Sequence, residues 1–328
     1  MTELIAVTAA TGHLGRRIAG RLADRGVAQR LVVRDPARAP RLPGADVVAA
    51  AYESDAFSPA VRGVGTLVLI SASEARDRVS LHTAAIDAAV AAGVRRIIYV
   101  SFLGAAADAT FTFARDHWHT EEHLRRSGVA HMILRDSLYL DVLPSFATLA
   151  SEATSTGATL ASEATSTGAT LASEPTGTAA TGGVLRGPAG HGRVAAVARD
   201  DVADVAVAVA CAGDDRYDGR TYDLTGPQAV TMSEVAAELS RAAGRTVTYD
   251  AETLEEAYAS RAHYGAPGWE VAGWVTSYAA IATGEMDVVT DAVSTLAGHA
   301  PMSLSGFLHA YPESVDHLRV TANGRQVR

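Results

Sequence analysis

The stretch that decides the fold is Val7-Thr8-Ala9-Ala10-Thr11-Gly12-His13-Leu14-Gly15, which reads VTAATGHLG. It joins an apolar run to a segment in which Leu14, Ile18 and Leu22 recur at helical spacing. A strand, a glycine-containing turn and a helix in this order are typical of a pyrophosphate-binding loop, because the amides and dipole of a helix N-terminus attract an anion. The same pattern also occurs in ordinary strand-to-helix turns. The stretch therefore predicts, without proving it, the first turn of a nucleotide-binding sheet.

Three small residues of this loop have separate expected roles. Gly12 lets the backbone approach a phosphate, and Gly15 lets the helix pack closely on the strand. Ala9 stands where such loops usually begin with glycine. Because alanine is strained at positive φ, we predict a negative φ at Ala9, and a positive value would count against cofactor binding.

Short β-branched runs alternate with helical patterns along the first part of the chain. Strands are predicted at 4–7, 30–33, 46–48, 66–70, 96–100 and 131–134, and helices at 13–25, 78–92 and 113–127. The helices end near Gly26, Gly93 and Gly128, which suit a left-handed turn. Such alternation implies parallel strands joined by right-handed crossovers. We predict an α/β protein with a doubly wound parallel sheet of the Rossmann type and a smaller, mostly helical C-terminal lobe over the carboxyl edge of the sheet.

An internal repeat divides the chain. The unit ASEATSTGATL occupies 150–160 and again 161–171, and a decayed copy follows. Its Ser, Thr and Gly content cannot offset chain entropy, so we predict a flexible insert, with a short repeat helix as the alternative. The predicted regions are a Rossmann dinucleotide-binding core at 1–146, the insert at 147–183, the remaining sheet elements with a helical substrate lobe at 184–314, and a tail at 315–328.

Composition excludes several classes of function. The net charge is -9 without a local basic patch, so we expect no nucleic-acid partner. A lone Cys211 leaves no internal disulfide, and no apolar run reaches membrane-spanning length, so we expect a cytoplasmic protein that does not contact membranes. All 28 basic side chains of the Lys and Arg total are arginine. Schiff bases, a phosphate-loop lysine and the Tyr-x-x-x-Lys pair of many short-chain dehydrogenases are therefore excluded.

Two arginines follow the second predicted strand. Arg34 and Arg38 stand where dinucleotide folds face the adenine ribose, and an arginine there binds a 2′-phosphate. Asp35, an acid that could instead bind the 2′-hydroxyl, lies beside Arg34. We predict NADPH as the cofactor and leave NADH open, as we leave open that both arginines are ordinary surface residues.

An ordered set of segments resembles one family. TAATGHLG, LVVRDPARA, LVLISASE, GVRRIIYVSFLGA, DHWHTEEHLRRSG, ILRDSLYLD and YDLTGPQAVTMSEVA are similar to segments of the NmrA-like atypical short-chain dehydrogenase/reductases, close to the NAD(P)H-dependent quinone oxidoreductase-like members. The resemblance covers nearly the whole chain apart from the repeat. It implies a Rossmann domain, a preference for NADPH and a substrate cleft under the C-terminal lobe.

Positions that match the cofactor site of this family can be read directly from the sequence. They are Thr8, Thr11, Gly12, His13, Leu14 and Gly15 in the phosphate loop, Arg34 and Arg38 at the 2′-phosphate, and Ser71 and Ala72 after the fourth strand. The chain departs from the pattern at Ala9 and at Ala51-Tyr52-Glu53, where relatives usually carry an acid before the aromatic residue. The second departure puts adenine-side contacts in doubt.

Candidates for the chemistry follow the fifth and sixth strands. Ser101 is expected near the nicotinamide ribose, His117 where a positive or proton-donating group is usual, and Tyr139 in the substrate pocket. Their ordinary alternatives are a strand-end hydrogen bond, an exposed helix face shared with His119 and His123, and a pocket wall. His119 and His123 lack a third ligand, so no metal is predicted.

The missing lysine favours an acceptor that is already electrophilic. Reduction of a quinone needs positioning more than acid catalysis, and its protons can come from water or from His117. We predict an NAD(P)H-dependent oxidoreductase that transfers hydride to a quinone or similar conjugated small molecule, with a homodimer left open. The alternative is a non-catalytic, NADP-binding redox-sensing regulator of the NmrA type that acts through a protein partner. The two differ in whether His117 and Ser101 face a nicotinamide-sized cavity or solvent.

Overall fold

Strand and helix alternate through the N-terminal half of the chain. In the computed structural model, which describes residues 3–149 and 182–319, this half contains β1 (Ile5–Thr8), α1 (His13–Asp24), β2 (Gln29–Val33), β3 (Ala45–Ala49), α2 (Phe57–Ala60), β4 (Thr66–Ile70), α3 (Arg78–Ala91), β5 (Arg96–Phe102), α4 (Thr112–Arg126), β6 (Ala130–Asp136) and β7 (Ala147–Leu149). The strands and helices predicted there are confirmed.

The C-terminal half contains β8 (Gly183–Gly187), β9 (Arg193–Val194), α5 (Arg199–Ala210), β10 (Thr221–Leu224), β11 (Val230–Thr231), α6 (Met232–Ala243), β12 (Val247–Ala251), α7 (Leu254–Arg261), α8 (Gly268–Ala282), α9 (Ala292–Ala297) and α10 (Leu304–Ala310). Short 3-10 helices occupy Pro36–Arg38, Leu143–Phe146, Ala262–Tyr264 and Pro312–Leu318. None of the helices in the described part of the chain has both the length and the apolar character needed to cross a bilayer.

A seven-stranded sheet organises both halves. Its order is β10-β6-β5-β4-β1-β2-β3, and all its neighbours pair in parallel. The strand order reverses between β1 and β4, and ligands of open α/β sheets bind at such a switch point, beyond the carboxyl ends of the strands. The doubly wound parallel sheet is confirmed.

Alternate residues of the central strands face opposite layers of helices. On β5, Ile98 and Val100 pack with α1 and α5, whereas Ile97 and Tyr99 pack with α3 and α4. This follows from the period of two along a strand. Side chains at the strand ends therefore separate into two groups, one on each side of the sheet.

The C-terminal lobe contains more strand than the helical pattern suggests. A three-stranded sheet of order β12-β8-β7 packs with helices such as α6, and β9 pairs with β11. β7 and β8 are antiparallel neighbours in which Leu149 pairs with Gly183, so the repeat falls between two adjacent strands. The prediction that the repeat is flexible concerns residues outside the described ranges.

The predicted tail is wrong for residues 315–318. They continue the 3-10 helix Pro312–Leu318, and both Val315 and Leu318 have 0% of their surface exposed. Residues three apart lie on one side of a 3-10 helix, so both side chains enter the core of the lobe together.

Candidate functional site

The phosphate loop is closely packed against the first turn of α1. Gly12 is the N-cap residue of α1 with φ of −85°, and its N–H donates to the Ala9 carbonyl at 2.9 Å. A Cβ at Gly15 would lie 2.3 Å from the Ala9 carbonyl oxygen, so only glycine allows this approach of helix to loop. This close approach of the helix to the loop agrees with the packing role expected of Gly15, and its contact with a cofactor stays a prediction. Because no side chain caps α1 at Gly12, the N-terminus of the helix fits a phosphate.

The prediction of a negative φ at Ala9 is wrong. Its φ is +50°, and among the described residues it is the only non-glycine with a positive φ. The turn requires this value because the Ala9 carbonyl must accept from Gly12 and pass close to Gly15. Alanine has therefore taken the conformation of the glycine it replaces, at about 1–2 kcal/mol. The turn closes with alanine in this conformation, so the positive φ leaves the hydrogen bond from Gly12 to Ala9 in place.

Thr8 serves the sheet instead of presenting its side chain to a ligand. The hydroxyl is 0% exposed, accepts from the Ile70 N–H at 2.9 Å and lies 2.8 Å from the Tyr52 hydroxyl. It ties β1 to β4 at the switch point. Burial raises the pKa of Tyr52 to about 12, so the phenol stays protonated at neutral pH and can donate to the Thr8 hydroxyl.

The other loop side chains divide by burial. Thr11 is half-buried and His13 is exposed, whereas Leu14 is buried in the core beneath α1. Leu14 can therefore meet a cofactor only through its backbone.

The segment after β2 favours a 2′-phosphate. Arg34 and Arg38 are exposed, and no carboxylate of the described residues pairs with either guanidinium. Asp35 is already engaged, since its Oδ1 accepts from the Ala37 N–H at 3.0 Å at the start of the 3-10 helix. Arg16 joins the two segments, because its Nε donates to the Thr11 carbonyl at 2.9 Å and its Nη2 to the Arg38 carbonyl at 2.7 Å.

Two buried residues of α3 fasten the predicted loop Ser71-Ala72. The Ala72 N–H donates to His82 Nε2 at 2.8 Å, and Arg78 Nε donates to the Ala72 carbonyl at 2.8 Å. Since Nε2 accepts, the His82 proton must sit on Nδ1, which lies 2.9 Å from Thr120 Oγ1. Burial, and then the Arg78 charge, lower the His82 pKa well below its usual value.

His117 does not lie on an exposed face, which was the ordinary alternative to its predicted role as a proton donor. It is 5% exposed, on the buried side of α4 together with Phe113 and Leu124. Arg78 Nη2 donates to Nε2 at 3.0 Å, so the ring proton is on Nδ1, 2.9 Å from the Tyr99 hydroxyl. Burial and the Arg78 charge lower its pKa well below the usual value. Both ring nitrogens are therefore engaged inside the protein, and neither is free to deliver a proton.

Ser101 makes a strand-end hydrogen bond. Its hydroxyl donates to Glu121 Oε1 at 2.6 Å, and Glu121 is completely buried. That carboxylate also pairs with Arg135 at 2.6 Å and with Arg125 at 3.0 Å. Ser101 thus points toward α4, and His117 lies on the buried side of that helix, so neither side chain reaches solvent.

Tyr139 lies on the opposite side of the sheet, in the loop after β6. Its hydroxyl donates to Asp136 Oδ2, and the Arg199 guanidinium lies 3.9 Å over its ring. Arg199 also pairs with Asp141. Burial raises the pKa of Asp136 to about 7. The structure therefore does not join Tyr139 to Ser101 and His117.

Sequence reasoning missed four of these residues. Arg16 directly follows the last glycine of the loop, and Arg78 and His82 are four apart on α3, which places them on one helix face. Asp136 ends a strand at the sheet's carboxyl edge, a position that itself signals function. In the described residues, three or more His, Cys, Asp or Glu nowhere gather in an arrangement able to hold a metal ion.

A Rossmann sheet with a phosphate loop closely packed at Gly15 and two exposed arginines after its second strand defines a dinucleotide-binding protein. A family described as NAD(P)H-binding matches residues 9–165. Quinone oxidoreductase 2 of Escherichia coli is 32% identical over 96% of this chain and 98% of its own length. NAD(P)H azoreductase of Xenophilus azovorans is 27% identical over 94% of this chain and 98% of its own.

A solved structure agrees with these relatives. The crystal structure of the NADPH-dependent quinone oxidoreductase QOR2 from Escherichia coli, complexed with NADPH, superposes with a TM-score of 0.76 at 29% identity and covers 96% of this chain and 99% of that one. The chain belongs to the NAD(P)H-binding, quinone oxidoreductase-like family.

Proposed function

We propose that this protein is an NAD(P)H-dependent oxidoreductase that transfers hydride to a quinone or a similar conjugated small molecule. The observation that carries the proposal is the phosphate loop with its two exposed arginines, in a chain related along nearly its whole length to a quinone oxidoreductase. When bound, NADPH supplies the hydride. The residues of the chain bind and orient it.

The geometry supports a binding role for each of these segments. The backbone at Gly12–Gly15 and the N-terminus of α1 hold the pyrophosphate, and Arg34 and Arg38 hold the 2′-phosphate. Ser71 and Ala72 contribute backbone groups after β4, in a loop fastened from beneath by His82 and Arg78. In this proposal His117 is a positioning residue, because it orients Arg78, and Ser101 orients α4 through Glu121.

Aromatic side chains run from the carboxyl end of β5 to α8. Ring centroids are 5.0 Å apart for Phe102 and Phe111, 5.6 Å for Phe111 and Phe113, and 6.0 Å for Phe113 and Trp269. Phe102 and Trp269 are the partly exposed ends of this row. Such rings can stack on a flat conjugated acceptor, which supports this substrate class.

Rapid-mixing measurement of NADPH oxidation with a series of quinones tests the activity. We expect turnover with at least one quinone. Tight NADPH binding without turnover of any acceptor would contradict the enzyme and favour the redox-sensing regulator. Location in the cytoplasm, a homodimer and the lack of a nucleic-acid partner stay predictions.

Calorimetry tests the cofactor assignment. We expect Arg34→Ala to weaken NADPH binding by about tenfold or more, because a charge-assisted hydrogen bond is lost, and to leave NADH binding unchanged. Arg25→Ala, an exposed arginine at the other end of α1, is the matched control. Equal affinities of the wild type for NADPH and NADH would overturn the 2′-phosphate assignment.

A further inference from the structure

The loop after β6 places an acid, a phenol and a guanidinium in contact. Asp136 is the last residue of β6 and is 4% exposed, and the Tyr139 hydroxyl donates to its Oδ2. Arg199, the first residue of α5, covers the face of the Tyr139 ring and is anchored by Asp141. Phe102 pairs with Asp136 in the sheet, so this cluster borders the aromatic row.

The reduction of a quinone needs one proton besides the hydride, and His117 cannot supply it. Its Nε2 accepts from Arg78, and its Nδ1 faces Tyr99 inside the protein. Ser101 is tied to the buried Glu121. Of the three predicted catalytic side chains, Tyr139 alone contacts a group able to hold an exchangeable proton near neutral pH.

We propose that Asp136 and Tyr139 form a proton relay that protonates the reduced acceptor; this rests on the proposed oxidoreductase function. The O–H bond of Tyr139 breaks as a new O–H bond forms on the acceptor oxygen. The phenolate then takes the proton of the Asp136 carboxyl group, and the carboxylate regains a proton from water. The two electrons reach the acceptor with the hydride that NADPH supplies, so the relay moves protons alone.

The hydrogen bond between the two residues can work in both directions. With Asp136 ionised, the phenol donates to Oδ2. With Asp136 protonated, the carboxyl group donates to the phenol oxygen and leaves the Tyr139 O–H free for a ligand. The protonated pair is therefore the one prepared to deliver a proton.

The surroundings leave part of the Asp136 population protonated at neutral pH. Burial raises its pKa to about 7, while Tyr139, Arg199 and Arg78 act in the opposite direction. Tyr139 itself faces Asp136, Arg199 and Asp141, and burial raises its pKa well above the usual value. A carboxyl group that titrates near the working pH is an efficient general acid.

Three variants test the relay. Asp136→Asn keeps the size and hydrogen-bonding shape of the side chain but removes its ionisable proton, and Tyr139→Phe removes the end that would meet the acceptor. Asp223→Asn is the matched control, because Asp223 lies at the end of the neighbouring strand β10, beside Arg135. NADPH affinity, measured by calorimetry, should be unchanged in all three.

In the wild type we expect kcat with a quinone to fall as pH rises through about 7, since the relay loses its proton there. Both relay variants should lack this fall and turn over at least about tenfold more slowly at neutral pH. The control should keep the wild-type profile. A wild-type profile and rate in Asp136→Asn would overturn the relay.

A titration without substrate separates this proposal from the function on which it rests. The carboxyl carbon of Asp136, followed by NMR, should titrate near 7 and shift its midpoint in Tyr139→Phe. Titration at the ordinary value of an aspartate would overturn the relay even in an active enzyme. Failure of the wild type to oxidise NADPH with any quinone would instead overturn the proposed function.

Discussion

Ala9 holds a backbone conformation that its side chain opposes. Its φ of +50° is imposed by the hydrogen bond from Gly12 and by the contact with Gly15. Strained residues persist where surrounding structure fixes them, and they concentrate at binding sites. The strain at Ala9 is therefore consistent with a binding role for this loop.

We expect Ala9→Gly to raise the free energy of unfolding by about 0.5–1 kcal/mol. Relief of about 1–2 kcal/mol of left-handed strain is partly offset by the greater freedom of glycine in the unfolded chain. Denaturant unfolding measures the difference. Ala23→Gly in α1 is the control and should lower stability, because glycine disfavours helix. A loss of stability in Ala9→Gly would show that the turn does not strain alanine.

Single-residue roles were predictable where spacing alone defines them. Gly15, six residues after Ala9, was expected to let the helix approach the start of the loop, and it lies against the Ala9 carbonyl group. The burial of His117 was not predicted, because its spacing with His119 and His123 left an exposed face open as the alternative to a role at the site. Phe113 and Leu124 share the buried face of α4 with His117, and weighing them would have identified the side that enters the core.

At the level of elements, α1 joins the cofactor loop to the rest of the molecule. It packs against the loop at Gly15, against the sheet through Ile18 and Leu22, and against α5 through ion pairs of Arg21 with Asp200 and Asp204 at 2.7 Å. A shift of α1 therefore moves the phosphate site.

The two glycines of α1 make a matched pair of tests. Gly15→Ala places a Cβ 2.3 Å from the Ala9 carbonyl oxygen, so the helix or the loop must move, and we expect NADPH affinity to fall by at least about tenfold. Gly20→Ala meets nothing within 4 Å and should raise stability by about 1 kcal/mol with unchanged affinity. Calorimetry and denaturant unfolding measure both. Unchanged affinity in Gly15→Ala would remove the close approach from the binding mechanism.

The sequence indicated long elements better than short ones. The buried parallel strands β4 and β5 contain the apolar runs 67–70 and 97–100, which are visible in the sequence alone. β9 and β11 have two residues each, and β7 pairs with β8 across the whole repeat. Such pairings depend on contacts between distant parts of the chain, which local patterns do not encode.

Across the whole molecule, charged and titratable groups are buried at the carboxyl edge of the sheet. Arg78 is 5% exposed, its nearest carboxylate, Asp116, lies 3.9 Å away, and it contacts His117. His82 is fully buried beside it. Folding therefore requires both histidines to be neutral, because a second and third cation beside Arg78 would have no partner.

Stability should consequently fall as the solution is acidified below about pH 6.5. The pKa values of His82 and His117 are lowered by burial and by Arg78, so the unfolded chain binds more protons than the folded one in this range. Each histidine contributes at most about 1.4 kcal/mol per pH unit. Asp136 acts in the opposite sense, because its raised pKa makes its contribution disappear as pH rises through about 7.

A difference between variants isolates the histidine effect. We expect the free energy of unfolding of His82→Gln to depend less steeply on pH below 6.5 than that of the wild type, whatever its absolute stability. Denaturant unfolding at a series of pH values measures the slopes. His119→Gln, on the exposed side of α4, should keep the wild-type slope. Equal slopes in the wild type and His82→Gln would mean that His82 titrates alike in the folded and unfolded chains. The conclusion that folding requires a neutral His82 would then be wrong.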